Sequence, residues 1–436
     1  MIRLVNGIIC SRDKLIKGRD LFIRQGKISF KKQGEGVSES VIDLKGSYIL
    51  PGFIEFHTHG AGLFEFTAGK YDPKTKSFRS SPEIYQDELP RYVRLRTSTG
   101  VTNLYLATFA APVKQLRFCF EQLKKYMESG RNGQDGCVIK GGLLEGSFFS
   151  PEMCGAQNPA YALLPDIKKF EEINKSGVIK LVNIVPDYGE KACRLIRTLT
   201  NKGIAVGAGH TKATADQFKA AINSGLRYAI HFLNGPTGGS YKPFNNGGAV
   251  EGILRDDRIY VELIADGFHV NPAYLRDVIE RKRADKVIII TDAVFVSQAR
   301  GVAQFQIGGI TARLSDDKKY IYVVGKKPVT LCGSVLTMDT AFGNILSILT
   351  RDMEGVWYRA HKAMNFEQAL LATARMCATN ACDMLKMSKA EDPGTGSIED
   401  GKWADLLVAD IKGKPGNYRL SVRKVFVRGR VMRREK

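Results

Sequence analysis

Six histidines are all that this chain of 436 residues contains, and five of them stand where apolar, strand-like runs end. His57 and His59 close the run at 53–57, His210 closes 204–210, His231 lies in 228–233, and His269 follows 260–265; only His361 is elsewhere. One such histidine is ordinarily a polar core residue. Five at the ends of strands point to a metal site, because neutral imidazole is the commonest protein ligand for zinc and other divalent transition metals. His57-Thr58-His59 puts two rings on one side of a strand, since side chains alternate with a period of two. Glu145, in Leu-Leu-Glu-Gly-Ser-Phe, brings a carboxylate to the same set of ends, where an unpaired buried charge is costly and a cation offsets it. Asp292 ends Val-Ile-Ile-Ile-Thr-Asp and suits a general base, able to take a proton from a water that the metal activates and pass it to a leaving amine. Asp266 competes for that role by position, but Asp266-Gly267 also reads as a turn.

These residues need a scaffold that gathers strand ends. Eight apolar runs, at 53–57, 101–108, 138–145, 179–185, 204–210, 228–233, 260–265 and 286–291, several separated by amphipathic helical patterns, predict an α/β fold: a (β/α)8 TIM-like barrel, with an open doubly wound sheet as the weaker alternative. Residues 214–224 show the helical spacer, with Thr214 placed to cap it, Phe218, Ala221 and Ile222 on one face, and Gly225 to stop it. Insertions at 71–81, 235–248 and 305–324 follow the first, sixth and eighth runs, on the side where barrel loops form a site. Short strand patterns at 3–9, 19–24, 27–31 and 40–43, and again at 404–410, 422–427 and 430–434, predict a small discontinuous β-sandwich domain built from both termini. The expected division is 1–50 and 393–436 for the sandwich and 51–392 for the barrel.

Composition excludes several classes. Hydrophobic residues make up 44% and charged residues 25% of the chain, a globular balance with no apolar run near the ~20 residues of a membrane span. The start lacks a secretory pattern, so a cytoplasmic location is expected. Eight cysteines without a CxxC pair fit reduced, buried thiols. The net charge of +20 would attract nucleic acid, anionic membranes or small anions alike. Residues 1–50 carry ten basic and five acidic side chains, and residues 395–436 carry eleven and five, so over half of the excess lies at the two ends. Without an RNP-like motif, a zinc finger or a long basic block, a solvated basic surface is expected, with no nucleic-acid or membrane partner.

Pro51-Gly52-Phe53-Ile54-Glu55-Phe56-His57-Thr58-His59-Gly60, the Glu145 motif, Gly155-Ala156-Gln157-Asn158-Pro159, Gly209-His210-Thr211, His231-Phe232-Leu233-Asn234, Ala265-Asp266-Gly267-Phe268-His269-Val270 and Thr291-Asp292-Ala293 together resemble the amidohydrolase superfamily, most specifically its N-acetylglucosamine-6-phosphate deacetylases. Late stretches at 333–338 and 394–405 add to the match, which runs over nearly the whole chain. The resemblance implies one or two divalent ions, with Glu145, His210 and His231 holding the principal one, His57 and His59 supporting a second, and Asp292 also among the metal-binding residues; imidazole and carboxylate ligands accept zinc and iron alike. It implies that Asp292 activates the water and that His269 polarises the acetyl carbonyl or contacts the substrate. Gln157 would touch the sugar, while Asn234 and the backbone of Gly235 would meet the phosphate. A homodimer is implied as well, since a neighbour commonly completes the phosphate pocket.

One departure stands out. The resembled enzymes usually have a Gly-Arg-Glu-Pro-Gly-like run after the sixth strand, whose Arg reaches the phosphate; residues 239–248 here contain no Arg. Lys242 is the candidate substitute, a point charge in place of a bidentate fork, and is equally readable as an exposed loop lysine. The expected activity is hydrolysis of N-acetylglucosamine 6-phosphate to glucosamine 6-phosphate and acetate. The alternatives are another amidohydrolase, acting on N-acetylgalactosamine 6-phosphate or an N-acyl amino acid, or a catalytically silent binding protein.

Overall fold

A computed structural model describes residues 1–31, 40–234, 247–385 and 394–432. Its centre is an eight-stranded parallel sheet of β1 (Phe53–Thr58), β2 (Val101–Thr108), β3 (Val138–Phe148), β4 (Ile179–Ile184), β5 (Ala205–Ala208), β6 (Tyr228–Ala229), β7 (Tyr260–Ile264) and β8 (Val287–Ile290), paired in sequence order. Strands packed on both faces read as continuous apolar runs, and every residue of β1, β2, β6 and β8 is buried. The sheet closes on itself. The Asp292 amide donates to the His57 carbonyl at 3.0 Å and the His59 amide to the Ala293 carbonyl at 2.8 Å, which seats the end of β8 beside β1.

Helices lie between the strands, as the alternating pattern requires. The spacer predicted at 214–224 is the helix Ala215–Asn223, where Thr214 and Gln217 form a reciprocal capping box and Phe218, Ala221 and Ile222 are buried. The insertions after β1 and β8 are sheets in their own right, while residues 235–246 of the insertion expected at 235–248 lie outside the described residues. After β1 the chain forms a four-stranded antiparallel sheet ending at Ser77–Arg79, and after β8 a three-stranded one, Gln304–Ile307, Ile310–Leu314 and Ile321–Val323.

The termini build two further sheets. One takes only N-terminal strands, among them Ile2–Val5 and Leu21–Arg24; the other joins Tyr48–Pro51 and Ile8–Cys10 to Leu406–Lys414 and Asn417–Val427. Leu4, Ile9, Leu21, Ile49, Leu406 and Phe426 share the core between them. The C-terminal hairpin is longer than its apolar pattern, because its outer turns are polar, and it packs on the helix Met338–Leu349.

One buried ion pair ties the closing strands to a helix. Arg96, from the helix Pro82–Ser98, sends Nη2 to Glu55 Oε2 on β1 at 3.3 Å and to Thr291 Oγ1 beyond β8 at 3.1 Å, and both charged side chains are wholly buried. Burial pushes the Glu55 carboxyl above the usual range, and Arg96 offsets this only in part. Arg96→Met should therefore destabilise the fold by about 3 kcal/mol, the lower end for breaking a buried pair, because the stranded carboxyl can take up a proton. The double variant Arg96→Met/Glu55→Gln should recover part of that loss; urea unfolding midpoints check both.

Candidate metal centre

The carboxyl ends of the strands converge on a cavity of about 560 Å³ whose lining includes His59, Glu145, Gln157, His210, His231, Asn234, His269 and Asp292. Glu145 sits inside β3, while His210, His231 and Asp292 each stand two residues beyond β5, β6 and β8. These last three leave the strand by left-handed backbone, with φ of +56°, +30° and +51°. Non-glycine residues rarely adopt that conformation, and it collects at functional sites. It also explains why β6 is shorter than its apolar run: His231 and Leu233, both at positive φ, turn the chain out of the sheet. Gly146 meets a different demand, since a Cβ there would lie 2.1 Å from the Ala110 amide nitrogen and 2.5 Å from Gln157 Oε1.

Glu145 is the centre of the arrangement. Its Oε1 lies 2.9 Å from His231 Nε2 and 3.2 Å from His210 Nε2, and its Oε2 lies 3.5 Å from His59 Nε2. Asp292 Oδ1 is 3.0 Å from His59 Nε2 and 3.6 Å from His57 Nε2. Two triads result, His57/His59/Glu145 and Glu145/His210/His231, each with ligand atoms within 4.8 Å of one another and every member buried.

The protons on these rings test whether a cation fits. His210 Nδ1 pairs with the Met153 carbonyl at 3.1 Å and His231 Nδ1 with the Asn234 carbonyl at 2.9 Å. A carbonyl only accepts, so each Nδ1 carries a hydrogen, and Nε2, on the Glu145 side, is the ring atom left for a cation. His57 Nδ1 pairs with Glu262 Oε2 at 2.8 Å, which leaves its buried Nε2 without a hydrogen-bond partner, facing both carboxylates. The electrostatics agree. Burial works against a charged His57, yet Glu262, Asp292 and Glu145 outweigh it and hold the ring up to about 10. Burial likewise opposes a charged Glu145, but His210, His231, His57 and His59 hold its carboxyl well below the ordinary range. Such a site draws in positive charge, and a divalent cation supplies it with the lone pairs already aimed.

The remaining predicted residues fall around this centre. Gln157 is wedged beneath the cavity, its Oε1 accepting from the Ala110 amide at 2.8 Å and its Nε2 3.2 Å from His210 Nε2. His269 presents a buried ring whose Nδ1 lies 2.6 Å from Asp266 Oδ2 and whose Nε2 has no partner. Asp266 Oδ1 also accepts the amides of Phe268 and His269, both at 2.9 Å, so this carboxylate both makes the turn and orients the ring. Gly235 and Lys242 lie outside the described residues. His361, set apart in the sequence, pairs with Asp277 at 2.6 Å away from the cavity lining.

Sequence reasoning missed three side chains. Glu262 was visible only as a charge inside the apolar run of β7. Glu65 carried no signal; it is fully buried, accepts the Phe295 amide at 3.1 Å, and burial pushes its carboxyl up to about 7 although His59 opposes this. Lys326 donates from Nζ to the Gly155 carbonyl at 2.8 Å, which sets a cation on the rim of the cavity.

A family model described as "Amidohydrolase family" matches residues 48–432. The chain belongs to the amidohydrolase family. Its relatives include the N-acetylglucosamine-6-phosphate deacetylase of Lysinibacillus sphaericus, 25% identical over 401 residues that cover 90% of this chain and 89% of that one. The N-acetylgalactosamine-6-phosphate deacetylase of Escherichia coli O157:H7 is 25% identical over 399 residues, 91% of each chain. The crystal structure of the N-acetyl-D-glucosamine-6-phosphate deacetylase from Mycobacterium smegmatis has the same fold, with a TM-score of 0.78 at 23% identity over 99% of this chain and 100% of that one. The His/Glu cluster of this amidohydrolase has the donors to hold a divalent metal. Glu145→Ala, which removes the carboxylate common to both triads, should purify with less than a tenth of the wild-type metal per chain, as read by plasma mass spectrometry.

Proposed function

We propose that this amidohydrolase removes acetate from N-acetylglucosamine 6-phosphate, yielding glucosamine 6-phosphate. The observation that carries the reading is the pair of triads on Glu145 with Asp292 beside them, at the floor of a cavity large enough for one sugar phosphate. Two of the relatives named above support it, both being named as deacetylases of amino-sugar 6-phosphates.

Glu145, His210 and His231 would hold one ion, and His57, His59 and Asp292 a second, with Glu145 common to both triads. Zinc and iron both suit this set of imidazoles and carboxylates. A divalent metal bound there supplies Lewis-acid polarisation and lowers the pKa of a water toward ~7. Asp292 takes the proton of that water and delivers it to the departing amine. His269, its ring fixed by Asp266, offers Nε2 to the acetyl oxygen. Gln157 orients the amide end of the sugar, and Asn234, the Gly235 backbone and Lys242 meet the phosphate. The reading includes a homodimer in the cytoplasm and a division into the β-sandwich, 1–50 and 393–436, and the barrel, 51–392. Among the described residues no helix is long and apolar enough to cross a membrane.

Acetate release tests the activity. Wild type should hydrolyse N-acetylglucosamine 6-phosphate and lose most turnover on N-acetylglucosamine, which lacks the phosphate. Preference for the galacto epimer or for an N-acyl amino acid would reassign the substrate, and no turnover of any acylated amine would restore the silent-binding alternative. Asp292→Asn should cut kcat by about 10²–10⁴-fold, the range for losing a positioned acid–base group, with metal retained on the Glu145/His210/His231 triad.

A further inference from the structure

Glu262 has no part in the chemistry above, yet it touches both halves of the centre. It stands in the middle of β7, in Tyr-Val-Glu-Leu-Ile, and is wholly buried. A carboxylate at such a place is costly unless it is paired. Its Oε2 receives two hydrogen bonds, from His57 Nδ1 and from the His231 backbone amide, both at 2.8 Å, and its Oε1 receives none. The donors come from opposite parts of the site: His57 belongs to β1 and to one triad, His231 to the turn after β6 and to the other.

Each bond fixes something that a ligand needs. The first turns the His57 ring so that Nε2 faces Asp292 and Glu145. The second holds the His231 amide at the point where the backbone takes φ of +30°, the bend that swings the His231 ring onto Glu145 Oε1. Hydrogen bonds from ligating histidines to an outer carboxylate fix ring orientation and raise ligand basicity. Here one oxygen atom does this for one ligand through its ring and for another through its main chain.

We propose that Glu262 is a positioning residue that couples the two metal positions, so that its loss weakens both ions although it ligates neither. This rests on the two-ion reading given above. Glu262→Gln keeps an oxygen within reach of both donors and removes only the charge; Glu262→Leu removes both bonds; His57→Ala removes one ligand directly.

The experiment is zinc binding by equilibrium dialysis to chelator-stripped full-length protein, read as equivalents and affinities, with apo melting temperatures to compare folding. Wild type is expected to hold two equivalents. His57→Ala should lose one and leave the other near wild type. Glu262→Leu should weaken both by about ten- to a hundredfold, and Glu262→Gln should weaken both by about tenfold at an unchanged apo melting temperature. If Glu262→Leu does not fold, Glu262→Gln decides alone. Wild-type affinities in Glu262→Gln, or a Glu262→Leu defect confined to the equivalent that His57→Ala loses, would overturn the coupling while leaving two ions in place. A single equivalent in wild type would overturn the two-ion reading and the coupling with it.

Discussion

Two carboxylates and four imidazoles share one buried space at the mouth of the barrel, and the charge they concentrate there governs the rest of the site. Glu145 and Asp292 lie beside one another's histidines at 2.9–3.9 Å, in a region where water cannot screen them. Low dielectric makes such a cluster unfavourable unless its charges balance. Imidazolium protons can balance it in the apo chain, and the same lone pairs and oxygens serve a divalent cation. The pull that raises His57 and depresses Glu145 is thus the pull that selects a metal.

Holding that cluster is costly to the backbone. Left-handed φ at His210, His231 and Asp292 stores strain of order 1–3 kcal/mol at each residue, and only at His231 does a local turn, to Asn234, help to hold the bend. The relief comes from the barrel. The Asp292 amide is tied to the His57 carbonyl, the His231 amide to Glu262, and the Ser150 amide reaches the His210 carbonyl at 3.4 Å. Glu55, Arg96 and Thr291 lock the closing strands beneath. A scaffold closed by hydrogen bonds around its whole circumference can keep such turns in place, whereas an open sheet edge would let them relax.

The parts legible in the sequence were those set by period and by residue type. Eight apolar runs gave the strand count, because strands packed on both faces must be apolar throughout, and histidines at their ends stood out because imidazole seldom closes a core strand. The exact ends were not legible. His231 reads as part of a strand, since nothing in Ile-His-Phe-Leu announces that its backbone turns left-handed. Glu262 was hidden for another reason: its partners lie 205 and 31 residues away, across the barrel, and pairing over that distance leaves no local trace. Thr214 shows the contrast, because a capping box is a contact between residues three apart and can be read directly.

The placement of positive charge separates attraction from recognition. Apart from its histidines, the cavity lining among the described residues carries no Lys or Arg; its walls include Phe109, Phe268, Phe305 and Ile307. An anionic group on a substrate therefore finds no lysine or arginine among these walls, only neutral donors such as Asn234, and would be repelled by Glu145 and Asp292 if it went to the floor. The net charge of +20, concentrated toward the two ends of the chain, acts through solvent over roughly a Debye length of 8–10 Å and draws anions without choosing among them. Choice requires contact, and Lys326 on the rim is a described cation close enough to the cavity wall to provide it. Phe109, Phe268, Phe305 and Ile307, set between the carboxylates of the floor and Lys326, would sort a molecule by its ends, the uncharged acyl group inward and the anion outward.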